Sequence, residues 1–328
     1  MHVLVIGGGS IGERHARCFL RTGQAEVSVC DVRGEIRERL AQTYPLKQTF
    51  ADFKEALASK PDIAVICTPA HLHVGMAIDL VNAGCHVLME KPVSTSFDRV
   101  DELVQLVKQK KTAFSIAYVL RCHPIIAAMR EAIQSGKFGK PVELVVVTGQ
   151  HFPTFRPAYR EIYYTNRATG GGCLQDALTH IVNASEWIVG PITELTADAA
   201  HQVLDGVTVE DTAHVLTRHQ GVMGNFSINQ YQAPNELTLT IVCERGTAKL
   251  ESHLNRWRWM IEPNSPWQDE TFPPLERDDM FITQAQAFLD TVEGKRPPIC
   301  TLEEGIQTLK VILGALEVLD KRTWKTIV

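Results

Sequence analysis

The sequence has no surplus of basic residues. It contains 33 lysines and arginines against 38 aspartates and glutamates, which gives a net charge of -5. Nucleic-acid-binding proteins draw most of their affinity from phosphate neutralisation and usually carry a basic excess or a basic stripe. The densest charge run, Arg33 to Arg39, alternates in sign and predicts the solvated face of a helix. We therefore expect no nucleic-acid partner.

Long hydrophobic runs and paired cysteines are also missing. No stretch approaches the ~20 apolar residues that span a bilayer. The opening run Val3–Ile6 ends at a glycine cluster and is too short for a signal peptide. The eight cysteines are scattered without CxxC spacing, as is typical of reduced thiols in a cytoplasmic protein. Because no apolar run is long enough, we expect no membrane partner. Four candidate metal ligands lie near one another in the sequence, His71, His73, Cys67 and Cys85. Their spacing is not that of metal ligands, so we expect no metal site.

What the sequence does have, over its first 118 residues, is an alternation of short apolar runs and helical patterns. Runs that are apolar almost throughout are typical of parallel strands covered on both faces. Alternation of this kind predicts a doubly wound parallel sheet, an α/β Rossmann domain over residues 1–119. The predicted strands are His2–Ile6, Glu26–Cys30, Ile63–Cys67, His86–Met89 and Ala113–Tyr118. The predicted helices are Ile11–Arg21, Ala70–Ala83 and Ser96–Lys110.

The pattern changes near residue 120. A helix over 121–134 with Pro124 in its first turn is followed by a strand over 142–148, a loop rich in aromatic and arginine residues over 150–171, and a helix over 172–189. Residues 192–261 alternate with period two, which predicts an antiparallel meander. Helices over 278–292 and 302–321 close the chain. We therefore predict a second, α+β domain over 120–328 with a large, mostly antiparallel open sheet, and its C-terminal helix is a candidate to pack back on the first domain.

A glycine motif follows the first predicted strand. Gly7, Gly9 and Gly12 match G-x-G-x-x-G and open a helix, which is the context that a dinucleotide-binding loop requires. Gly7 permits the tight turn, Gly9 lets the backbone approach a pyrophosphate, and Gly12 lets the helix pack on the strand. Backbone N–H groups of Ser10 and Ile11, at the helix N-terminus, suit phosphate. The motif predicts a bound nicotinamide dinucleotide.

An acidic residue ends the second predicted strand. Asp31 can accept hydrogen bonds from the adenosine ribose hydroxyls and would repel a 2′-phosphate. It therefore favours NAD over NADP, although Arg33 nearby is able to bind that phosphate and keeps NADP open.

With these motifs in order, the chain resembles the glucose–fructose oxidoreductase / inositol dehydrogenase family (Gfo/Idh/MocA). The resemblance rests on ordered motifs spread over residues 1–190, and the meander agrees in general pattern only. The matching motifs are Gly-Ser-Ile-Gly at 9–12, Thr68-Pro69, His73, Glu90-Lys91-Pro92, Gly170-Gly171-Gly172, Asp176 and His180. The resemblance implies NAD(P)-dependent oxidation or reduction of sugars, inositols and related polyols, and a homodimer or homotetramer formed through the open sheet. It also implies cofactor contacts from Thr68, Pro69, His73, Glu90 and Lys91.

The resemblance implies three catalytic residues, Lys91, Asp176 and His180. Lys91 follows a predicted parallel strand at the sheet edge where ligands bind. Asp176 and His180 are four residues apart, so they share one helix face, where the carboxylate can hold the imidazole in position. The expected mechanism has His180 as acid/base, Asp176 orienting it and Lys91 binding the reacting oxygen, although Lys91 itself is an alternative proton carrier. This requires Lys91 and His180 to meet beside the nicotinamide.

Further polar residues at the predicted domain junction are candidate substrate contacts, because small-molecule pockets form at such junctions. They are Lys91, Tyr118, Arg121, His123, Tyr163, Asn166, Arg167, Asp176 and His180. The chain departs from the family pattern at Ala177-Leu178-Thr179 and at Asn183, which puts the substrate class in doubt more than the reaction class. Two rival functions stay open: a glycosidase that retains NAD and acts through transient oxidation, and a non-catalytic dinucleotide sensor.

Overall fold

The computed structural model describes residues 1–321, and its contacts divide into two compact units. The first unit comprises Met1–Cys122 and Leu275–Ile306, and the second comprises His123–Pro274 and the residues from Gln307 onward. The sequence places a single boundary at 119/120. The observed first unit also includes a later segment, because the chain returns to it at Leu275.

A six-stranded parallel sheet forms the first unit, in the order β3-β2-β1-β4-β5-β6. This confirms the predicted doubly wound sheet, in which β1 pairs with both β2 and β4. The strands are β1 (His2–Ile6), β2 (Glu26–Cys30), β3 (Gln48–Phe50), β4 (Ile63–Ile66), β5 (His86–Met89) and β6 (Phe114–Ile116). The helices between them are α1 (Ser10–Arg21), α2 (Gly34–Thr43), α3 (Phe53–Ala58), α4 (His73–Asn82) and α5 (Val100–Lys110), with 3-10 turns at Ala70–Leu72 and Val119–Cys122.

Helix α5 starts later than the sequence predicts. The sequence predicts a start at Ser96, but the Ser96 hydroxyl accepts the backbone N–H of Asp98 within a local turn. Serine often competes with helix formation in this way. The helix begins at Val100, after Arg99, which has a left-handed backbone (φ 58°) and forms an ion pair with Glu102 in the first turn.

An eight-stranded sheet dominates the second unit, in the order β14-β13-β12-β11-β7-β10-β9-β8. Its pairings are antiparallel apart from β7 with β10, so the predicted mostly antiparallel sheet is confirmed. In this unit α6 (Pro124–Gln134) precedes β7 (Pro141–Gly149), and short helices follow: α7 (Phe152–Phe155) and 3-10 turns at Pro157–Arg160, Tyr163–Thr165 and Arg167–Thr169. A π-helix at Leu174–Leu178 continues into α8 (Thr179–Val189).

The remaining strands are β8 (Glu194–Ala200), β9 (Thr212–His219), β10 (Val222–Asn229), β11 (Glu236–Cys243), β12 (Gly246–Glu251), β13 (Arg256–Met260) and β14 (Gln268–Thr271), with a 3-10 turn at Ser252–Leu254. Burial alternates residue by residue along β9, as a strand with one covered face requires. Two helices close the described chain, α9 (Asp279–Val292) in the first unit and α10 (Leu302–Lys321).

The core of the first unit lies between its sheet and helices α1 and α9. Val3, Val29 and Phe19 are fully buried there and pack with Phe288 and Leu289 of α9. Each such side chain contributes about 1.5–3 kcal/mol by leaving water. This core fixes the start of α1 against the end of β1, which determines the shape of the glycine loop.

Within residues 1–321, no helix combines the length and the apolar character needed to cross a bilayer. In the same part of the chain, no three histidine, cysteine, aspartate or glutamate side chains cluster as a metal site would require. All eight cysteines are free thiols.

Candidate active site

The glycine loop connects β1 to α1, and two of its three motif glycines are required by the protein's own packing. Gly7 has a φ of +95°, and a Cβ there would lie 2.6 Å from the carbonyl oxygen of Cys67. A Cβ on Gly12 would overlap the carbonyl oxygen of Gly7. Any larger residue at either position would therefore displace backbone at the end of the parallel sheet.

Gly9, in contrast, lies in open space. It is the N-cap of α1, with φ -64° and ψ -173°, a conformation that any residue adopts. A Cβ there would meet nothing closer than the Arg33 guanidinium at 3.9 Å. The space beside Gly9, at a helix N-terminus, therefore fits a pyrophosphate that approaches the backbone closely.

Asp31, at the end of β2, is held tightly beside the loop. Its carboxylate accepts the Gly8 N–H at 2.7 Å and three hydrogen bonds from Arg33, of which the backbone N–H gives the shortest at 2.9 Å. Burial opposes ionisation of this carboxyl, but the Arg33 and Gly8 hydrogen bonds outweigh it and lower its pKa. The acid is thus ionised and held in a fixed orientation beside the glycine loop.

The loops that follow β4 and β5 are joined by His73, which is 1% exposed. Its Nε2 lies 2.8 Å from the Thr68 carbonyl oxygen and its Nδ1 lies 2.9 Å from the Pro92 carbonyl oxygen. Burial lowers the pKa of the imidazole, against the pull of those two carbonyls. Through these two contacts, His73 links the Thr68-Pro69 segment to the Lys91-Pro92 segment.

Lys91 lies two residues beyond the end of β5, as predicted, and it is partly exposed. Its backbone N–H donates to the Glu90 carboxylate at 3.1 Å. Glu90 is buried and also accepts a hydrogen bond from His15, a residue that sequence reasoning missed.

In the second unit, Asp176 lies in the π-helix and is buried, whereas His180 is partly exposed in the first turn of α8. Such π turns frequently mark functional sites. The expected regular helix over 172–189 is therefore incorrect at its start.

Both oxygens of the Asp176 carboxylate are engaged. Tyr163 donates its hydroxyl to Oδ1 at 2.6 Å, and Arg156 donates from Nη1 to Oδ2 at 3.0 Å. The structure thus brings the predicted Tyr163 to the predicted Asp176. Arg156 was missed, and its only signal in the sequence was its place in the arginine-rich 150–171 segment.

The other candidate substrate residues have partners within the protein. Asn166 caps the 167–169 turn by accepting the Ala168 N–H, and Arg167 pairs with Glu210 at 2.8 Å. Arg121 is buried, where it donates to the Ile299 carbonyl and the Glu304 carboxylate. Tyr118 is fully buried, and His123 caps α6.

The glycine run at 170–172 is shaped by the protein itself. Gly172 has a φ of +91°, and a Cβ there would collide with the Glu210 carboxylate; a Cβ on Gly171 would collide with the Tyr164 carbonyl. These glycines therefore let Glu210 and Tyr164 pack beneath the start of the π-helix.

A parallel sheet with a dinucleotide loop at its carboxyl edge, an ionised acid after β2 and a lysine after β5 define a nicotinamide-dependent oxidoreductase. Sequence comparison agrees. Residues 1–118 match the oxidoreductase family with an NAD-binding Rossmann fold, and residues 126–249 match the GFO/IDH/MocA C-terminal domain. The chain belongs to the Gfo/Idh/MocA family of NAD-binding oxidoreductases.

Among curated relatives, inositol 2-dehydrogenase of Rhizobium meliloti (strain 1021) is 29% identical over 92% of this chain and 89% of its own. Two solved structures have the same fold. Levoglucosan dehydrogenase with NADH and levoglucosan superposes with a TM-score of 0.90 at 17% identity, covering 99% of this chain and 98% of that one. The WlbA dehydrogenase of Bordetella pertussis with NADH and UDP-GlcNAcA gives 0.85 at 22% identity, covering 98% and 96%.

Proposed function

We propose that this protein transfers a hydride between NAD and a secondary hydroxyl or ketone of a sugar, an inositol or a related polyol. The observation that carries the proposal is the buried Asp176 carboxylate, fixed by Tyr163 and Arg156, four residues before His180. The relatedness to inositol 2-dehydrogenase supports the substrate class.

In the proposed mechanism, Lys91 and His180 are the residues that act on the reacting hydroxyl. When bound, the nicotinamide supplies the hydride acceptor or donor. The hydroxyl proton passes to the His180 imidazole as hydride leaves the carbon, because a secondary alcohol is a very weak acid. The Lys91 ammonium stabilises negative charge on that oxygen. Lys91 remains the alternative proton carrier.

NAD is the preferred cofactor in this proposal. An ionised Asp31 repels a 2′-phosphate, and it accepts a ribose hydroxyl once the Arg33 side chain gives up one of its hydrogen bonds to the carboxylate. Arg33 is tied to Asp31 by side-chain bonds of 3.0 Å, so its charge is already compensated.

We also propose that the protein self-associates through its large sheet. Val147, Leu216 and Met223, on adjacent strands β7, β9 and β10, are each about half exposed. Apolar side chains in such a position fit a second copy of the same sheet. Light scattering of the wild type should show a dimer or a tetramer. The double variant Leu216→Lys, Met223→Lys should be monomeric. A monomeric wild type would contradict the proposed self-association.

The test of the reaction is a panel of inositols, sugars and sugar acids with NAD and NADP, followed by nicotinamide absorbance. Lys91→Met and His180→Ala should each lower turnover at least ~100-fold, within the range of a lost acid/base group. Both variants should still bind NADH. Exposed residues of the same types provide controls, Lys110→Met and His253→Ala. Normal turnover in both site variants would defeat the mechanism, and cofactor that stays bound without net reduction would favour the glycosidase alternative.

A further inference from the structure

A buried histidine on α1 has no part in the proposed reaction. His15 is 1% exposed, and its ring packs edge-on against Phe281 of α9, with the ring centroids 5.5 Å apart. Burying a polar ring is costly unless it is hydrogen-bonded. Its hydrogen bond goes to the loop that carries Lys91.

Two hydrogen bonds link His15 to the backbone of Lys91. His15 Nε2 donates to Glu90 Oε1 at 2.7 Å, and the Lys91 N–H donates to Glu90 Oε2 at 3.1 Å. The helix that starts at the glycine loop is thereby joined to the segment that carries the lysine. His15 and Glu90 are 75 residues apart in the sequence.

The charge on Glu90 depends on this arrangement. Burial opposes its ionisation, but the hydrogen bond from His15, together with the positive charge of Lys91, outweighs burial and lowers the pKa of the carboxyl. The titratable groups around it are His15, Lys91, Cys67 and His73. Loss of the His15 donor would therefore leave a buried carboxyl that protonates more readily and holds Lys91 less firmly.

We propose that His15 is a positioning residue that acts through Glu90 to hold Lys91 at the cofactor-binding edge of the sheet. The importance of this position rests on the proposed role of Lys91 in the reaction. Geometry of this kind matters because small misplacements of a reacting group can cost large factors in rate.

The first experiment needs no substrate. Reductive methylation of the lysines, read peptide by peptide by mass spectrometry, measures the reactivity of the Lys91 amine. His15→Leu removes the donor, and His15→Gln keeps a donor near the Nε2 position. Phe281→Leu is the matched control, because it removes packing against the same ring and leaves the hydrogen bond in place.

We expect His15→Leu to change the labelling rate of Lys91 by about threefold or more, a range typical of coupling within one network. Other lysines, and Lys91 in the His15→Gln and Phe281→Leu variants, should label as in the wild type. On a Glu90→Ala background, His15→Leu should add no further change. Equal labelling of Lys91 in wild type and His15→Leu, or the same change in Phe281→Leu at matched melting temperature, would overturn the proposal.

The second experiment uses the polyol with the highest turnover in the panel. His15→Leu should lower kcat about tenfold or more and move the acidic limb of its pH profile upward, while the Kd for NADH changes less than about threefold. His15→Gln should restore both. If wild type oxidises no polyol, the proposed function fails, and the labelling experiment still decides the role of His15.

Discussion

The space beside Gly9 gives the sharpest prediction. Gly9→Ala adds a methyl group whose nearest neighbour in the protein is the Arg33 guanidinium at 3.9 Å, and the backbone there suits alanine. The fold should therefore tolerate the change at a cost below about 1 kcal/mol, that of a poorer helix N-cap. The same substitution at Gly12 would drive the methyl group into the Gly7 carbonyl and should prevent stable folding.

Cofactor binding, unlike folding, should be weakened by Gly9→Ala. The added methyl group occupies the approach of the pyrophosphate to the helix N-terminus. Loss of one charge-assisted hydrogen bond costs about 1.5–3 kcal/mol, which corresponds to a roughly 10- to 150-fold weaker Kd.

Fluorescence titration with NADH measures this loss, and thermal unfolding of the same samples measures stability. Gly8→Ala is a useful comparison, because its methyl group would lie 2.8 Å from Ile36 and should lower stability. A Gly9→Ala variant that binds NADH within about twofold of wild type would show that no dinucleotide approaches this loop as inferred.

Two further predictions concern single carboxylates. Asp31→Ser should raise the preference for NADP over NAD at least ~10-fold, measured as the ratio of the two Kd values, because Arg33 loses its partner and can bind a 2′-phosphate; an unchanged ratio would contradict it. Asp278 accepts two hydrogen bonds of 2.6 Å from Arg17, and these bonds lower the pKa of its carboxyl. The ionised carboxylate therefore stabilises the fold above the ordinary pKa of an aspartate, and this stabilisation is lost as pH falls through the lowered pKa. Asp278→Asn should therefore lower the urea-unfolding free energy by about 1–2 kcal/mol at pH near 7, and a difference that did not shrink in strong acid would count against this linkage.

The strands of the first unit were predictable because they are buried on both faces. Continuous apolar runs identified β1, β2, β4 and β5 within a residue of their observed bounds. Strand β3 was missed, because Gln48–Phe50 is only three residues long and lies at the sheet edge, where apolar continuity is not required.

The candidate site was predictable only where its residues belong to sequence motifs of fixed spacing. The glycine loop, the acid after β2, Lys91, and the Asp176–His180 pair follow motifs. His15 and Arg156 could not be found in that way, because their partners are 75 and 20 residues distant in sequence and only folding brings them together. The glycine run at 170–172 matches the family motif, and the atoms that crowd Gly172 belong to Glu210 of the protein itself.

Fold stability alone does not explain why the Asp176 carboxylate is buried. A buried carboxylate loses several kcal/mol of hydration, and apolar residues of similar volume often stabilise a fold as well or better. Here the carboxylate is 1% exposed, its arginine partner is 48% exposed, and a tyrosine hydroxyl holds the second oxygen. Because packing does not account for the two polar groups, Arg156 and Tyr163, that surround one buried charge, we propose that chemistry at His180, four residues further along the chain, explains them.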